Sequence, residues 1–183
     1  METKYIDCIT AGVGGQGVMT IGELLAYSGI ASGLNATSLP EYGTEMRGGN
    51  ANCTVVLSSG PIGSPIIKHP KSIIAMSQSA VDSFLDSVVD NGFALVNSSL
   101  AKFKADDRIK IYPVPMNDLA SDANLNKMVN MVAMGAFVTL SKIVEMDKVI
   151  EALDKVIPER YMHLKDANIQ ALNLGVDYAA KNF

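Results

Sequence analysis

The chain has 183 residues, 48% of them hydrophobic and 19% charged, with a net charge of −4. That is enough apolar chain for a sizeable globular core, and it excludes a disordered polypeptide. No cluster of Lys and Arg is present, which excludes a nucleic-acid partner, because neutralising phosphates takes grouped cations.

Strand and helix signals alternate through the first two thirds. Tyr5 to Thr10 is an apolar run that reads as a strand, and a glycine-rich segment follows it directly. From about Gly17 to Ser32, Val18, Ile21, Leu24, Leu25 and Ile30 recur at helical spacing. Gly22, Ala26 and Gly29 form a small-residue row that would let this helix lie close on a sheet, and Gly33 is its stop. Ala36 to Leu39 is a weak second strand. Ala51 to Ser58 alternates, with Ala51, Cys53, Val55 and Leu57 on one face. Ser72 to Ser77 is a short strand, and Ala80, Val81, Phe84, Leu85 and Val88 mark the helix after it. Asn91-Gly92 turns into a strand from Phe93 to Asn97. Ile109 to Val114 is another, with Pro113 placing it at an edge. The C-terminal third is helical, beginning with a helix from Leu125 to Val144. Asp147 is positioned to cap the next helix, whose face is Val149, Ile150, Leu153 and Val156. Pro158 fits the first turn of a last helix that buries Tyr161, Ile169, Leu172 and Val176. One α/β domain over residues 1–183, with a largely parallel sheet, follows from this alternation.

Cys8 and Cys53 sit inside apolar runs, without the spacing of zinc or iron–sulfur ligands, and read as buried small hydrophobes. They suit a reducing compartment. Glu2 and Asp7 bracket the first apolar run, so it does not read as a signal peptide. The uncharged stretch between Lys127 and Lys142 falls short of the ~20 residues that span a bilayer. The expectation is a cytoplasmic protein without membrane segments.

Two stretches carry the functional signal. Gly12, Gly14 and Gly17 match G-x-G-x-x-G between a strand and a helix, a layout that aims backbone amides at an anion. A dinucleotide site also needs an acid about 20 residues on, at the end of the second strand. The nearby acid is Glu41, placed beyond Pro40 in a loop. No Gly-Lys-Ser/Thr follows, so a P-loop is excluded. The second stretch, from Pro40 to Asn50, sets Glu41, Tyr42, Glu45 and Arg47 among Gly43, Gly48 and Gly49. Loops after the first and second strands of a parallel sheet leave the same edge, where such folds place their sites. The bland readings are a tight turn for the first stretch and a local Glu–Arg pair for the second. A third loop, Ser58 to Ile66, is rich in Gly and Pro and reads as a connection or a docking surface. His69 and His163 stand apart, no G-x-S-x-G elbow is present, and no catalytic or metal-ligating residue is assigned.

Together these residues resemble a known family. Gly12 to Val18, Gly22, Leu24-Leu25-Ala26, Pro40 to Gly43 and Glu45 to Gly49 are similar to the gamma subunit of 2-oxoacid:ferredoxin oxidoreductases. Ile62 to Pro65, Ala75 to Gln78, Asn168 and Gly175 continue the likeness. The resemblance implies a Rossmann-like domain, a mostly parallel sheet flanked by helices, that is a non-catalytic subunit of a heteromeric complex. Such complexes oxidatively decarboxylate a 2-oxoacid to its acyl-CoA and reduce ferredoxin. Thiamine diphosphate and iron–sulfur clusters are implied in partner subunits: alpha, beta and, as a further candidate, delta. Coenzyme A is the implied ligand of a shared cleft. Gly12, Gly14, Gly15, Gln16 and Gly17 would line one wall, and Tyr42, Gly43, Glu45, Arg47, Gly48 and Gly49 the other. Arg47, with its planar fork, is the candidate partner for a phosphate or a carboxylate. The likeness is greater to the 2-oxoglutarate and branched-chain (ketoisovalerate) types than to the pyruvate or indolepyruvate ones. An isolated subunit would expose its partner face and self-associate through it. The alternative from the glycine loop alone is a stand-alone dinucleotide- or nucleotide-binding protein.

Overall fold

The computed structural model describes residues 4–43 and 49–183, and everything below concerns those residues. Tyr5–Val13 forms β1, and the chain returns through α1 (Val18–Ala31) to β2 (Asn35–Tyr42) and β3 (Asn50–Ser58). Next come β4 (Ser72–Ala75), α2 (Gln78–Phe84), β5 (Phe93–Asn97) and β6 (Lys110–Val114). The C-terminal part is α3 (Met116–Asp122), α4 (Val129–Ser141), α5 (Met146–Val156) and α6 (Lys165–Asn182).

The six strands lie in the order β2-β3-β1-β4-β5-β6. β1, β4, β5 and β6 pair in parallel, while β3 is antiparallel to both β1 and β2. β2 therefore points the same way as β1 but lies one strand further out, with β3 between them. The expectation of a mostly parallel α/β sheet flanked by helices holds. β6 is an edge strand, where Pro113 costs no ladder bond.

α1 packs on one face of the sheet together with the C-terminal helices, over Ile21, Leu24, Leu25, Val55, Leu57 and Phe137. Each of these is fully buried, worth about 2 kcal/mol per side chain in area removed from water. The opposite face is covered by α2, over Ile9, Ile73, Val81 and Val96. The small-residue row of α1 does what its spacing implied. A Cβ on Gly22 would meet Cys53, and one on Gly29 would enter Leu57. Cys8 and Cys53 are buried among these apolar residues.

Several boundaries differ from the sequence reading. Pro40 and Glu41 belong to β2 rather than to a loop, because β2 is an edge strand and tolerates a missing donor. The helix read from Leu125 to Val144 is shorter, and a separate helix that the sequence reading did not include precedes it. α3 ends before Asn124, which takes φ 59°, and α4 starts at Val129 and stops at Lys142, with φ 53°. Asp147 lies in the first turn of α5, and Glu145 occupies the cap. Pro158 opens a 3-10 stretch, Glu159–Leu164, instead of α6. Tyr161 on that stretch is 45% exposed rather than buried, and Ile169 and Val176 are only partly covered.

Candidate functional site

The sheet topology brings the two glycine stretches together. Val13 pairs with Asn50, and Gly14 N–H donates to Gly49 O at 2.9 Å. Gly43 N–H donates to Asn50 O at 2.8 Å, closing the hairpin end between β2 and β3. A Cβ on Gly43 would lie 3.0 Å from that same carbonyl, so glycine suits the close approach. The junction sits at the carboxyl edge of β1 and β2, the edge that carries sites in open α/β sheets. Glu45, Arg47 and Gly48 lie outside the described residues.

The glycine loop is pinned from within. Gln16 turns back so that its Oε1 accepts from Val13 N–H at 2.8 Å and its Nε2 donates to Met76 O at 3.0 Å. Gly12 leaves room for this fold-back, since a Cβ there would strike Gln16 Oε1. Gly15 and Gly17 take φ of 97° and 73°, a region that costs an L side chain roughly 1–2 kcal/mol. Gly17 is also the N-cap of α1, and Asn130 fills the space where its Cβ would be. No side chain caps α1 and no acid occupies its first turn, so its leading amides stay available for an anion.

The glycine loop that leads into α1 opens onto a pocket of about 470 Å³ lined by Gly15, Gln16, Gly17, Asn117, Lys127 and Asn130, among others. The start of α4 meets it as well, again without a side-chain cap or a first-turn acid. Fully buried Asn97 orients Asn117 through an Nδ2 to Oδ1 bond of 2.7 Å. Among the described residues the result is a hollow rich in donors, with one cation and no carboxylate on its wall, suited to phosphate. Sequence reasoning missed Asn117, Lys127 and Asn130. The signal was the run Asn124, Asn126, Lys127 and Asn130 before a helix, which has no period and no motif.

Tyr42 does not share this pocket. It is 73% exposed at the rim of a groove of about 520 Å³ on the other flank of α1, with Tyr27, Ile30, Pro40 and Cys53. The Ser58 to Ile66 loop lies at the opposite sheet edge, where Ser58 faces Tyr5, and its Ile66 is 65% exposed. His69 and His163 are both on the surface.

The site does not fit a dinucleotide or a cluster. The ribose-binding acid belongs on the strand next to β1, and here β3 occupies that place. Glu41 is a strand further out and pairs with Asn52, on the sheet face away from α1. Burial pushes both the Cys8 and the Cys53 thiols above their usual range, whereas a metal ligand must be a thiolate. Among the described residues no three of His, Cys, Asp and Glu gather as metal ligands, and no helix is long and apolar enough to cross a membrane.

A mostly parallel sheet with an uncapped, glycine-led helix at its carboxyl edge defines a Rossmann-like domain. The chain belongs to the pyruvate ferredoxin/flavodoxin oxidoreductase family, whose model matches residues 7–178. It is 30% identical over 190 residues to the ketoisovalerate oxidoreductase subunit VorA of Methanothermobacter marburgensis. That match covers 99% of this chain but only 38% of VorA. The gamma subunit of keto/oxoacid ferredoxin oxidoreductase from Geobacter sulfurreducens superposes with a TM-score of 0.81 at 26% identity, covering 96% of this chain and 99% of that one. The same fold forms 32% of a chain of 2-oxoglutarate:ferredoxin oxidoreductase from Magnetococcus marinus, with a TM-score of 0.88 at 23% identity over the whole of this chain. That structure holds 2-oxoglutarate, coenzyme A and succinyl-CoA.

Proposed function

We propose that this chain is the gamma subunit of a multi-subunit 2-oxoacid:ferredoxin oxidoreductase, supplying assembly surface and a contact for coenzyme A. The observation that carries the reading is the junction of the two glycine stretches at Gly14 and Gly49, beside an uncapped, donor-lined pocket. Its residues bind and orient an anion, and the described residues offer no nucleophile or base at the pocket. Thiamine diphosphate and iron–sulfur clusters, bound by alpha and beta subunits and by a delta subunit where one is present, would supply decarboxylation and electron transfer to ferredoxin. The setting is the cytoplasm. Tyr42, Gly43, Glu45, Arg47, Gly48 and Gly49 are proposed as the wall that meets a partner or a coenzyme A phosphate.

Native purification tests this. A tagged copy in its own host is expected to bring down thiamine-dependent and iron–sulfur subunits together with 2-oxoacid:ferredoxin activity that requires coenzyme A. A chain recovered without them refutes the proposal.

A further inference from the structure

β2 is the outermost strand on its side of the sheet among the described residues, and its free edge adjoins the groove of about 520 Å³. Gly43 N–H donates to Asn50 O, so the alternation of an antiparallel ladder turns the backbone of Glu41, Leu39 and Thr37 toward β3. The backbone groups of Tyr42, Pro40, Ser38 and Ala36 therefore face outward. These outward residues also line the groove, together with Tyr27 and Ile30 of α1. Edge strands of monomers are commonly guarded by charge. None of the outward residues is charged, and Pro40 alone removes a donor. The groove wall does carry both signs, Glu23 of α1 and Lys155 of α5, and neither forms an ion pair among the described residues.

We propose that a second copy of this chain covers this edge, with the two β2 strands paired antiparallel about a twofold axis at Leu39, so that both sheets join into one. The strand is complementary to itself in this register. Ala36 stands opposite Tyr42 of the other copy, small against large, and the two exchange both backbone bonds. Ser38 stands opposite Pro40 and donates to its carbonyl, so the pairing forfeits only the bond for which Pro40 has no N–H. On the other face Glu41 meets Thr37 and not its own like charge. The twofold also sets α1 beside its copy above the new strand pair, where Tyr27, Ile30 and Tyr42 leave water. An isologous contact presents one patch to itself, and a patch holding Glu23 and Lys155 offers its copy an opposite charge where a single-sign patch would repel it. The edge lies on the other flank of α1 from the donor-lined pocket, and the proposal does not rest on the subunit reading.

Sedimentation equilibrium on the full chain is expected to show a closed dimer and no larger species. Ser38→Pro removes an outward donor and no inward one, and should weaken the dimer about tenfold, since each copy loses a backbone bond. Tyr42→Ala should weaken it on a similar scale, and Tyr42 is 73% exposed, so its truncation spares the fold. Thermal unfolding of each variant confirms that it is folded. Cysteine cross-linking reads the register. Leu39→Cys places two thiols opposite each other at the axis, and mild oxidation should link the copies through them. Thr37→Cys lies about 13 Å from its own copy, at roughly 3.3 Å per residue along the strands, and should stay unlinked. Cys8 and Cys53 are buried and take no part. A monomer at every concentration overturns the proposal, as does open-ended growth or a dimer indifferent to Ser38→Pro and Tyr42→Ala. Linkage through Thr37→Cys instead of Leu39→Cys overturns it too. None of these outcomes bears on recovery of the native complex, which tests the subunit reading by itself.

Discussion

Gln16 shows how a single side chain sets the geometry of the site. It is neither catalytic nor charged, yet it ties the tip of the glycine loop to β4 through Met76 O and closes the turn through Val13 N–H. Gln16→Ala leaves Val13 N–H unmet and Met76 O with only the longer bond from Asn97 Nδ2, and the expected loss is about 1–3 kcal/mol. A lower urea midpoint with an unchanged slope would show it, and an unchanged midpoint would mean the loop holds itself. At the opposite edge, Asp7 is nearly buried and accepts from Lys71 N–H at 2.5 Å and from Tyr5 O–H at 2.8 Å. Desolvation, with help from the bond to Asp7 and its charge, pushes the Tyr5 phenol up to about 12 from 10.0. The neutral phenol is thus favoured in the folded state. Its stabilising contribution is complete below pH 10 and is lost as pH rises toward about 12. Tyr5→Phe should flatten that alkaline decline in equilibrium unfolding, and an identical pH profile would exclude the linkage.

Between elements, the tightest contact is glycine-made. α4 and α6 approach so closely that a Cβ on Gly175 would enter the Val132 carbonyl, and one on Gly135 the Leu172 carbonyl. Backbone cannot give way as a flexible side chain does, so the helices must part. Gly175→Ala is expected to cost about 1–3 kcal/mol or more in thermal or urea unfolding, as overpacking does. Gly63→Ala, where a Cβ meets open space, is the control and should be neutral. Equal stability of the two variants would remove the close-packing argument. The same packing positions the start of α4, and therefore Lys127 and Asn130, beside the glycine loop.

For the molecule as a whole, three exposed large hydrophobic side chains gather on the flank carrying β2. That strand is a sheet edge, and Tyr27, Ile30 and Tyr42 are 44%, 56% and 73% exposed over a groove beside it. An edge of this kind with an apolar rim invites pairing, blunted only where Pro40 removes a donor. The purified chain alone is expected to self-associate with rising concentration in sedimentation velocity, and Ile30→Lys should weaken that association. A monomer at every concentration would count against this flank as a contact surface.

Strand and helix identity, the buried cysteines and the close-lying α1 were legible in the sequence, because each depends on local periodicity and side-chain size. The two glycine stretches were legible as well, since positive φ and close approach leave few other residues possible. The reversed strand β3, which joins those stretches, was not. Its alternation reads the same in either direction, and only pairing with β1 and β2 sets its sense. The separate helix α3, the later start of α4 and the exposure of Tyr161 were likewise decided by long-range packing. Asn117, Lys127 and Asn130 carry no motif at all. They became a site because α3 and α4, distant from the glycine loop in sequence, dock their ends beside it.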